Sequence, residues 1–270
     1  MRIAVFGLGA VGGYLAARLA ASGHDVAAVA RGSTLAALRE HGLTLRVGDQ
    51  TQRVRIQASD RSTDLGPQDL VLSTAKATEP SRLAEGLAPF LAPDTAVVFA
   101  QNGIPWWYGI GLSTARPKAP DLSHLDPDGA LRRLIAPERV IGAVIQSSNE
   151  MVEPGVVVNV TPGKNVLLVG EPDDRQSARI AALRGALTAA DVGSPVVTDI
   201  RQAIWRKLMI NMSASVLCLI TGRRLPIVRE DNYIGELFMR VAGEGKAIAT
   251  AHGVDVGAFD PAAFRQAPQN

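Results

Sequence analysis

The sequence predicts an α/β protein: strands alternate with helices as far as residue 172, and the remainder is built from helices alone. Three observations carry this. Residues 1–31 read as strand, glycine turn, helix, strand. Apolar runs of strand length then recur between amphipathic stretches up to residue 170. Past Glu171-Pro172-Asp173-Asp174-Arg175 the helical periods lengthen and strands nearly vanish. A length of 270 residues agrees with about two domains.

The first unit is the most specific. Residues 3–6 are apolar and lead into Gly7-Leu8-Gly9-Ala10-Val11-Gly12; a helix-periodic stretch and a second apolar run at 25–30 follow. This is one βαβ unit with the dinucleotide-binding glycine fingerprint in its first turn. Gly7 permits the tight turn off the strand. Gly9 lets the backbone approach a pyrophosphate, and Gly12 lets the helix pack closely on the strand. Free N–H groups of the loop, those of Leu8, Ala10 and Val11 included, then face the phosphates together with the helix dipole. The competing reading is a glycine turn with no ligand. The expected organisation is a Rossmann-type domain over residues 1–172 and a helical domain over 173–270.

The second strand bears on the nucleotide. An enzyme that uses NAD usually places an acid about 20 residues on, to bond the ribose 2′-OH. Here the strand ends in Arg31-Gly32-Ser33 with no acid at its tip. Arg31 can instead clamp a 2′-phosphate with its fork of donors, which favours NADP. Otherwise Arg31 is an ordinary solvated charge.

The remaining elements follow in order. Residues 33–40 read as a short helix, 43–47 and 53–56 as a hairpin, and 69–74 as a buried strand followed by Lys76. Residues 80–91 form an amphipathic helix, and 95–100 a strand ending at Gln101-Asn102-Gly103. Ile104-Pro105-Trp106-Trp107-Tyr108 follows, and then a stretch to about Asp128 that contains Gly, Pro and Ser and reads as an exposed insertion. Residues 140–147, 155–160 and 165–170 complete a mixed sheet. Helices are expected over 177–190, over 200–221 with Gly222 as its stop, and over 228–251.

Composition excludes several classes. The chain is 47% hydrophobic, ample for a core, and its net charge is only +2. Aromatic residues are few and do not interleave with Lys or Arg, so no nucleic-acid partner is expected. The N-terminal apolar run is too short to span a membrane and no signal peptide precedes it. A single cysteine, Cys218, allows no intramolecular disulfide; it reads as core and fits a reducing compartment, so a cytoplasmic location is expected. His24, His41, His124 and His252 share no ligand spacing, and no metal site is expected.

In an open α/β sheet, ligands bind beyond the carboxyl ends of the strands. Lys76, Asn102-Gly103 and Gln146-Ser147-Ser148 stand at such ends. Asn102 can donate and accept, and Gly103 lets the chain turn past a flat ring. The sharper candidate is helical. Lys207, Asn211 and Ser215 recur at i, i+4, i+8, one polar line on an otherwise apolar helix. Facing a cleft, Lys207 could hold a carboxylate or carbonyl and donate a proton, with Asn211 and Ser215 orienting the same ligand; facing water, the line is a polar stripe.

These residues together resemble the ketopantoate reductase (2-dehydropantoate 2-reductase) family. The carriers are Gly7 to Gly13, Arg31, Lys76, Gln101-Asn102-Gly103, Pro154-Gly155, and Trp205-Arg206-Lys207-Leu208-Met209-Ile210-Asn211. The resemblance implies a Rossmann domain plus a helical domain, with NADPH reducing the keto group of ketopantoate in a cleft between them. It implies Lys207 as proton donor, Asn211 as substrate ligand and Asn102 near nicotinamide and substrate. Arg31 and Lys76 would hold the adenosine phosphate end, and Ser148 would lie along the cofactor. The helical domain would carry substrate contacts, Ser215 among them, and the contacts of a homodimer.

The chain departs from the pattern twice. Ser215-Val216 stands where the family has a second Asn followed by Pro. The family's next Ser-Met-Leu-Gln-Asp-type segment and catalytic-site Glu are expected beyond Asn270, as in a shortened chain or a paralogue that lacks them. Three functions therefore follow: reduction of ketopantoate to pantoate; reduction of another 2-oxo acid or an imine, which Ser215 supports; and a non-catalytic NADP-binding sensor, against which an intact Lys207–Asn211 line argues.

Overall fold

A computed structural model describes residues 1–76 and 80–257. In chain order it contains β1 (Arg2–Phe6), α1 (Ala10–Ala21), β2 (Asp25–Val29), α2 (Gly32–His41), β3 (Leu43–Val47), β4 (Gln50–Val54), β5 (Gln57–Ser59), β6 (Gln68–Ser73) and α3 (Pro80–Leu87). There follow β7 (Leu91–Phe99), α4 (Ala130–Leu134), β8 (Val140–Gln146), β9 (Asn149–Glu153), β10 (Val156–Asn159), β11 (Val166–Gly170) and α5 (Ala178–Ala189). The rest is helical: α6 (Ile200–Ile210), a π-helical turn (Asn211–Ser215), α7 (Val216–Thr221), α8 (Leu225–Glu230) and α9 (Asn232–Ala251).

The main sheet has seven strands in the order β11-β8-β7-β6-β1-β2-β5. All neighbours are parallel except β11, which runs antiparallel to β8. Strand side chains alternate between the two faces. Ile3, Val5, Leu70, Leu72 and Val98 join a core with α1 and α5. Ala4, Val71, Val97 and Phe99 join a second core with α3, α4 and the start of α6. A sheet buried on both faces reads as continuous apolar runs, which is why its central strands were visible in the sequence.

The mixed sheet expected over residues 140–170 is in fact divided. β8 and β11 belong to the main sheet, while β9 and β10 pair with β3 and β4 in a separate sheet of order β4-β3-β10-β9. This small sheet covers the outer side of α1. A Cβ on Gly13 would lie 2.7 Å from Val157 Cγ2, so the glycine sets how close sheet and helix come.

Residues 109–128 are largely exposed, as expected of the insertion, but the segment that leads into it turns inward. Trp106, Trp107 and Tyr108 are buried. Trp106 meets Phe99 edge-on at 5.4 Å, and Trp107 occupies the space beside Gly142, where a Cβ would lie 2.4 Å from the indole. Tyr108 links the two regions: its hydroxyl accepts from Trp205 Nε1 at 2.8 Å. Arg201, 1% exposed, reaches it from α6. Its guanidinium donates to the carbonyls of Tyr108, Ile110 and Pro172.

The helix expected over 200–221 is interrupted. Asn211–Ser215 form a π turn, with the buried Ser213 hydroxyl donating to the Met209 carbonyl. Gly245 of α9 packs on this turn, its absent Cβ leaving room for Met209 and Met212. Together α6, the turn and α7 make 22 residues long and apolar enough to cross a membrane, with mean hydropathy 1.4. Ile200, Ala203 and Ile204 nevertheless pack into the second core of the sheet. The helix expected over 228–251 is two helices, because Asp231 caps α9 by accepting from Ile234 N. Cys218, expected in the core, is half-buried.

Candidate active site

The first cleft opens above β1, β2 and β6 and has a volume of about 350 Å³. Gly7 has φ +103°, and a Cβ there would strike Ala75 N at 2.5 Å. A Cβ on Gly12 would lie 2.3 Å from Gly7 O and 2.6 Å from Thr74 Oγ1, the hydroxyl that itself donates to Gly7 O. Gly9 differs: nothing lies within 4 Å of a Cβ placed on it, so the space above its backbone is open. The first turn of α1 has no acidic residue and no side-chain cap, so its amides are left to an anion. Leu8 joins Gly7 in the wall, while Ala10, Val11 and Gly12 lie in that first turn.

Arg31 caps α2 from the tip of β2, and it lines this cleft with Lys76, Thr34 and Arg82. No carboxylate is among the described residues that line it. The open backbone over Gly9, the uncapped helix start and the basic rim fit the phosphates of a dinucleotide. Thr34 and Arg82 escaped sequence reasoning. Arg82 had a signal, since it stands in the first turn of the helix following the buried strand.

A second cleft, of about 340 Å³, lies where α6 crosses the end of β8. Lys207 and Ser148 face it together. Lys207 is half-buried, and burial alone pushes its pKa below the ordinary lysine value. No carboxylate pairs with it among the described residues. A desolvated, unpaired ammonium can bind a carbonyl or carboxylate oxygen and can give up a proton.

Other expected positions are more dispersed. Asn102 is exposed and lines a separate small cavity of about 20 Å³ with Gln101 and Trp106. Gln101 Nε2 donates to Ala75 O at 2.9 Å and ties the ends of β6 and β7 together, while Gly103 has φ +87°. Asn211 is half-buried and Ser215 exposed, and neither lines the Lys207 cleft. The π turn explains why the line is not straight: it takes about one more residue per turn than an α-helix, so an i, i+4, i+8 face drifts across it. Lys164, Thr161 and Arg206, which do line that cleft, were not singled out by the sequence.

A glycine-turn nucleotide cleft at strand ends, with a lysine presented from a helical region to a second cleft at the end of β8, defines a two-domain nicotinamide-dependent oxidoreductase. The family described as ketopantoate reductase PanE/ApbA matches residues 3–172, and its C-terminal counterpart matches residues 199–267. The chain belongs to the ketopantoate reductase family.

A 2-dehydropantoate 2-reductase of Mesorhizobium japonicum is 37% identical over 255 residues, covering 94% of this chain and 77% of the relative. A crystal structure of a candidate ketopantoate reductase from Ralstonia solanacearum is 32% identical with a TM-score of 0.90, covering 99% of this chain and 83% of that one. The fold is shared more widely. D-mandelate dehydrogenase, solved with NADH and anilino(oxo)acetate, has a TM-score of 0.80 at 17% identity, covering 98% of this chain and 78% of that one.

Proposed function

We propose that this chain reduces a 2-oxo acid with NADPH, 2-dehydropantoate foremost, giving pantoate. The observation that carries the reading is Lys207: a half-buried ammonium without a carboxylate partner among the described residues, facing a cleft at the end of β8. The bound nicotinamide supplies the hydride to the keto carbon. Lys207 gives its proton to the keto oxygen as negative charge builds there, so one group provides both electrostatic stabilisation and acid catalysis. The 2-oxo acid leaves as the 2-hydroxy acid, NADP⁺ is formed, and neutral Lys207 regains a proton from solvent.

Gly7 to Gly12 would hold the pyrophosphate, with Arg31 and Lys76 on the adenosine phosphate. Ser148 and Asn102 would lie along the nicotinamide side. Asn211 and Ser215 are proposed substrate ligands from the helical region. Family membership and the Lys207 cleft together support an enzyme over a sensor. The same reading takes a cytoplasmic enzyme without a nucleic-acid partner. A homodimer gains support from Leu219, Ile220 and Tyr233, which are 82, 74 and 80% exposed.

Following NADPH oxidation with a panel of 2-oxo acids and imines tests the reading directly. Fastest turnover of 2-dehydropantoate is expected, and oxidation of NADPH by none of them would overturn it. Arg31→Ala should weaken NADPH by about tenfold or more, the scale of a charged hydrogen bond, and leave NADH nearly unchanged. Dissociation constants for both cofactors decide this, and equal losses would remove the 2′-phosphate assignment. Asn102→Ala should lower turnover more than it weakens binding of 2′-phospho-ADP-ribose, since its place is at the nicotinamide end. If both stay at parent values, Asn102 is a turn residue only.

A further inference from the structure

The wall of the cleft that faces Lys207 forms where the chain leaves the main sheet and later returns to it. Gln146, Ser147 and Ser148 lead from the end of β8 towards β9, and Thr161 lies on the way back from β10 to β11. The main-sheet ladder ends at the Gln146–Val166 pair, and the small-sheet ladder at the Asn149–Asn159 pair. Ser147 and Ser148 on one side, and residues 160–165 on the other, therefore lie outside both ladders. Their backbone groups need other partners.

Asn159 stands at the centre of those partners, behind the wall. It is 2% exposed and does not line the cleft. Its Nδ2 donates to Asn165 Oδ1 at 2.7 Å and to Asn149 Oδ1 at 2.8 Å, and lies 3.2 Å from Ser148 O. Asn165 Nδ2 answers by donating to Asn159 Oδ1 at 3.1 Å. Ser147 Oγ donates to Asn165 Oδ1 and accepts from Asn149 Nδ2 at 2.8 Å. Val160 N also donates to Ser148 O at 2.8 Å, and Ser148 N to Thr161 Oγ1 at 3.2 Å. Both backbone groups of Ser148 are thus held by the segment that starts at Asn159. Val157, on the same face of β10, fills its place with carbon alone. An amide at 159 costs desolvation, which only these bonds offset.

We propose that Asn159 is a positioning residue for the reduction: through Asn165, Asn149 and Ser148 it fixes the Ser147–Ser148 wall against which the nicotinamide half of the cofactor rests, opposite Lys207. The inference rests on the reductase reading above, in which Ser148 lies along the cofactor. Asn159 acts only through its neighbours and moves no proton. It holds the wall, and with it the reacting carbon, at a set place relative to Lys207. A misplacement of about 1 Å at such a point costs on the order of 100-fold in rate.

The test compares binding and turnover of the full chain well below the melting temperature of each protein. Asn159→Ala should weaken NADPH, followed by fluorescence titration, and lower kcat with 2-dehydropantoate, each by about tenfold. Affinity for 2′-phospho-ADP-ribose, which lacks the nicotinamide, should stay at the parent value, because its site is the other cleft. Asn159→Asp keeps the shape and the acceptor for Asn165, but turns Nδ2 into an oxygen that faces the Asn165, Asn149 and Ser148 oxygens. Its kcat relative to the parent should be lowest at neutral pH and recover in acid, where protonation restores one donor.

Should Asn159→Ala fail to fold, Asn149→Ala decides by the same measurements. Asn149 is only half-buried and stands outside the cleft, yet it bonds both Asn159 and Ser147, and its loss should give the same split on a smaller scale. Parent-like NADPH affinity and kcat in the folded variant, or equal losses for NADPH and 2′-phospho-ADP-ribose, overturn the proposal: the amides then only hold the fold together. Either result leaves the reductase reading intact, because the parent still turns over. A parent that binds NADPH but reduces no 2-oxo acid overturns both.

Discussion

Lys207→Ala should cut kcat by at least about 100-fold, the usual scale for removing a general acid. NADPH affinity should change little, because the glycine turn, Arg31 and Lys76 lie in the other cleft. Lys207→Arg should not restore turnover, since a guanidinium is too weak an acid to release the proton. The pH profile adds a check with a defined sign. Burial disfavours the charged form, so the folded pKa lies below the lysine value of 10.5. Donation requires the protonated form, so the rate should fall as pH rises through that depressed pKa. The alkaline limb should be absent from Lys207→Ala. Parent-like rates in this variant would remove Lys207 from the mechanism.

Arg201→Met should have the largest effect on stability. The guanidinium is buried and bonds three carbonyls, those of Tyr108, Ile110 and Pro172. A methionine fills part of the volume and leaves those carbonyls without their donor. The cost should be about 3 kcal/mol or more, at roughly 1–3 kcal/mol for each buried group left unpaired. That corresponds to a fall in Tm of roughly 6–12 °C for a domain of this size. Lysine should rescue little, because a single ammonium cannot span the positions held by a planar fork. Calorimetry of the three proteins decides the matter, and a shift under about 2 °C would mean water replaces the guanidinium at little cost.

The legible parts of the chain are those whose cause is local. The β1–α1–β2 unit was readable because glycine spacing, strand burial and helix period all act within a few residues of one another. Arg31 and Lys76 were found because strand ends in a parallel sheet mark ligand positions in advance. Lys207 was found because a lysine on an apolar helix is unusual. Lys164 and Arg206 give no such signal: two distant segments bring them to the cleft that Lys207 faces.

The burial of Trp106, Trp107 and Tyr108 has no local signal, because their partners Phe99, Gly142 and Trp205 lie on other elements. The π turn stayed hidden because an i, i+4 pattern assumes the period that the turn breaks. Met209 and Met212 pack against Gly245 of α9 at this turn, a contact that no local pattern announces. Asp231, by contrast, was a visible N-cap that the length of the apolar pattern overrode.

The parallel pairing of β3 with β10, Thr44 beside Val156, has a consequence for how this protein is made. The nucleotide turn leaves the ribosome well ahead of β10, and the strands that shield the back of α1 are not complete until β10 follows. At ordinary synthesis rates that is a wait on the order of ten seconds. Throughout it, Tyr14, Leu43 and Leu45, all buried in the finished protein, lack their cover. The nascent chain therefore carries a sticky surface long before it can grip its cofactor. Ligand added during translation cannot rescue it early, and chaperone capture should peak for chains stalled between β4 and β10.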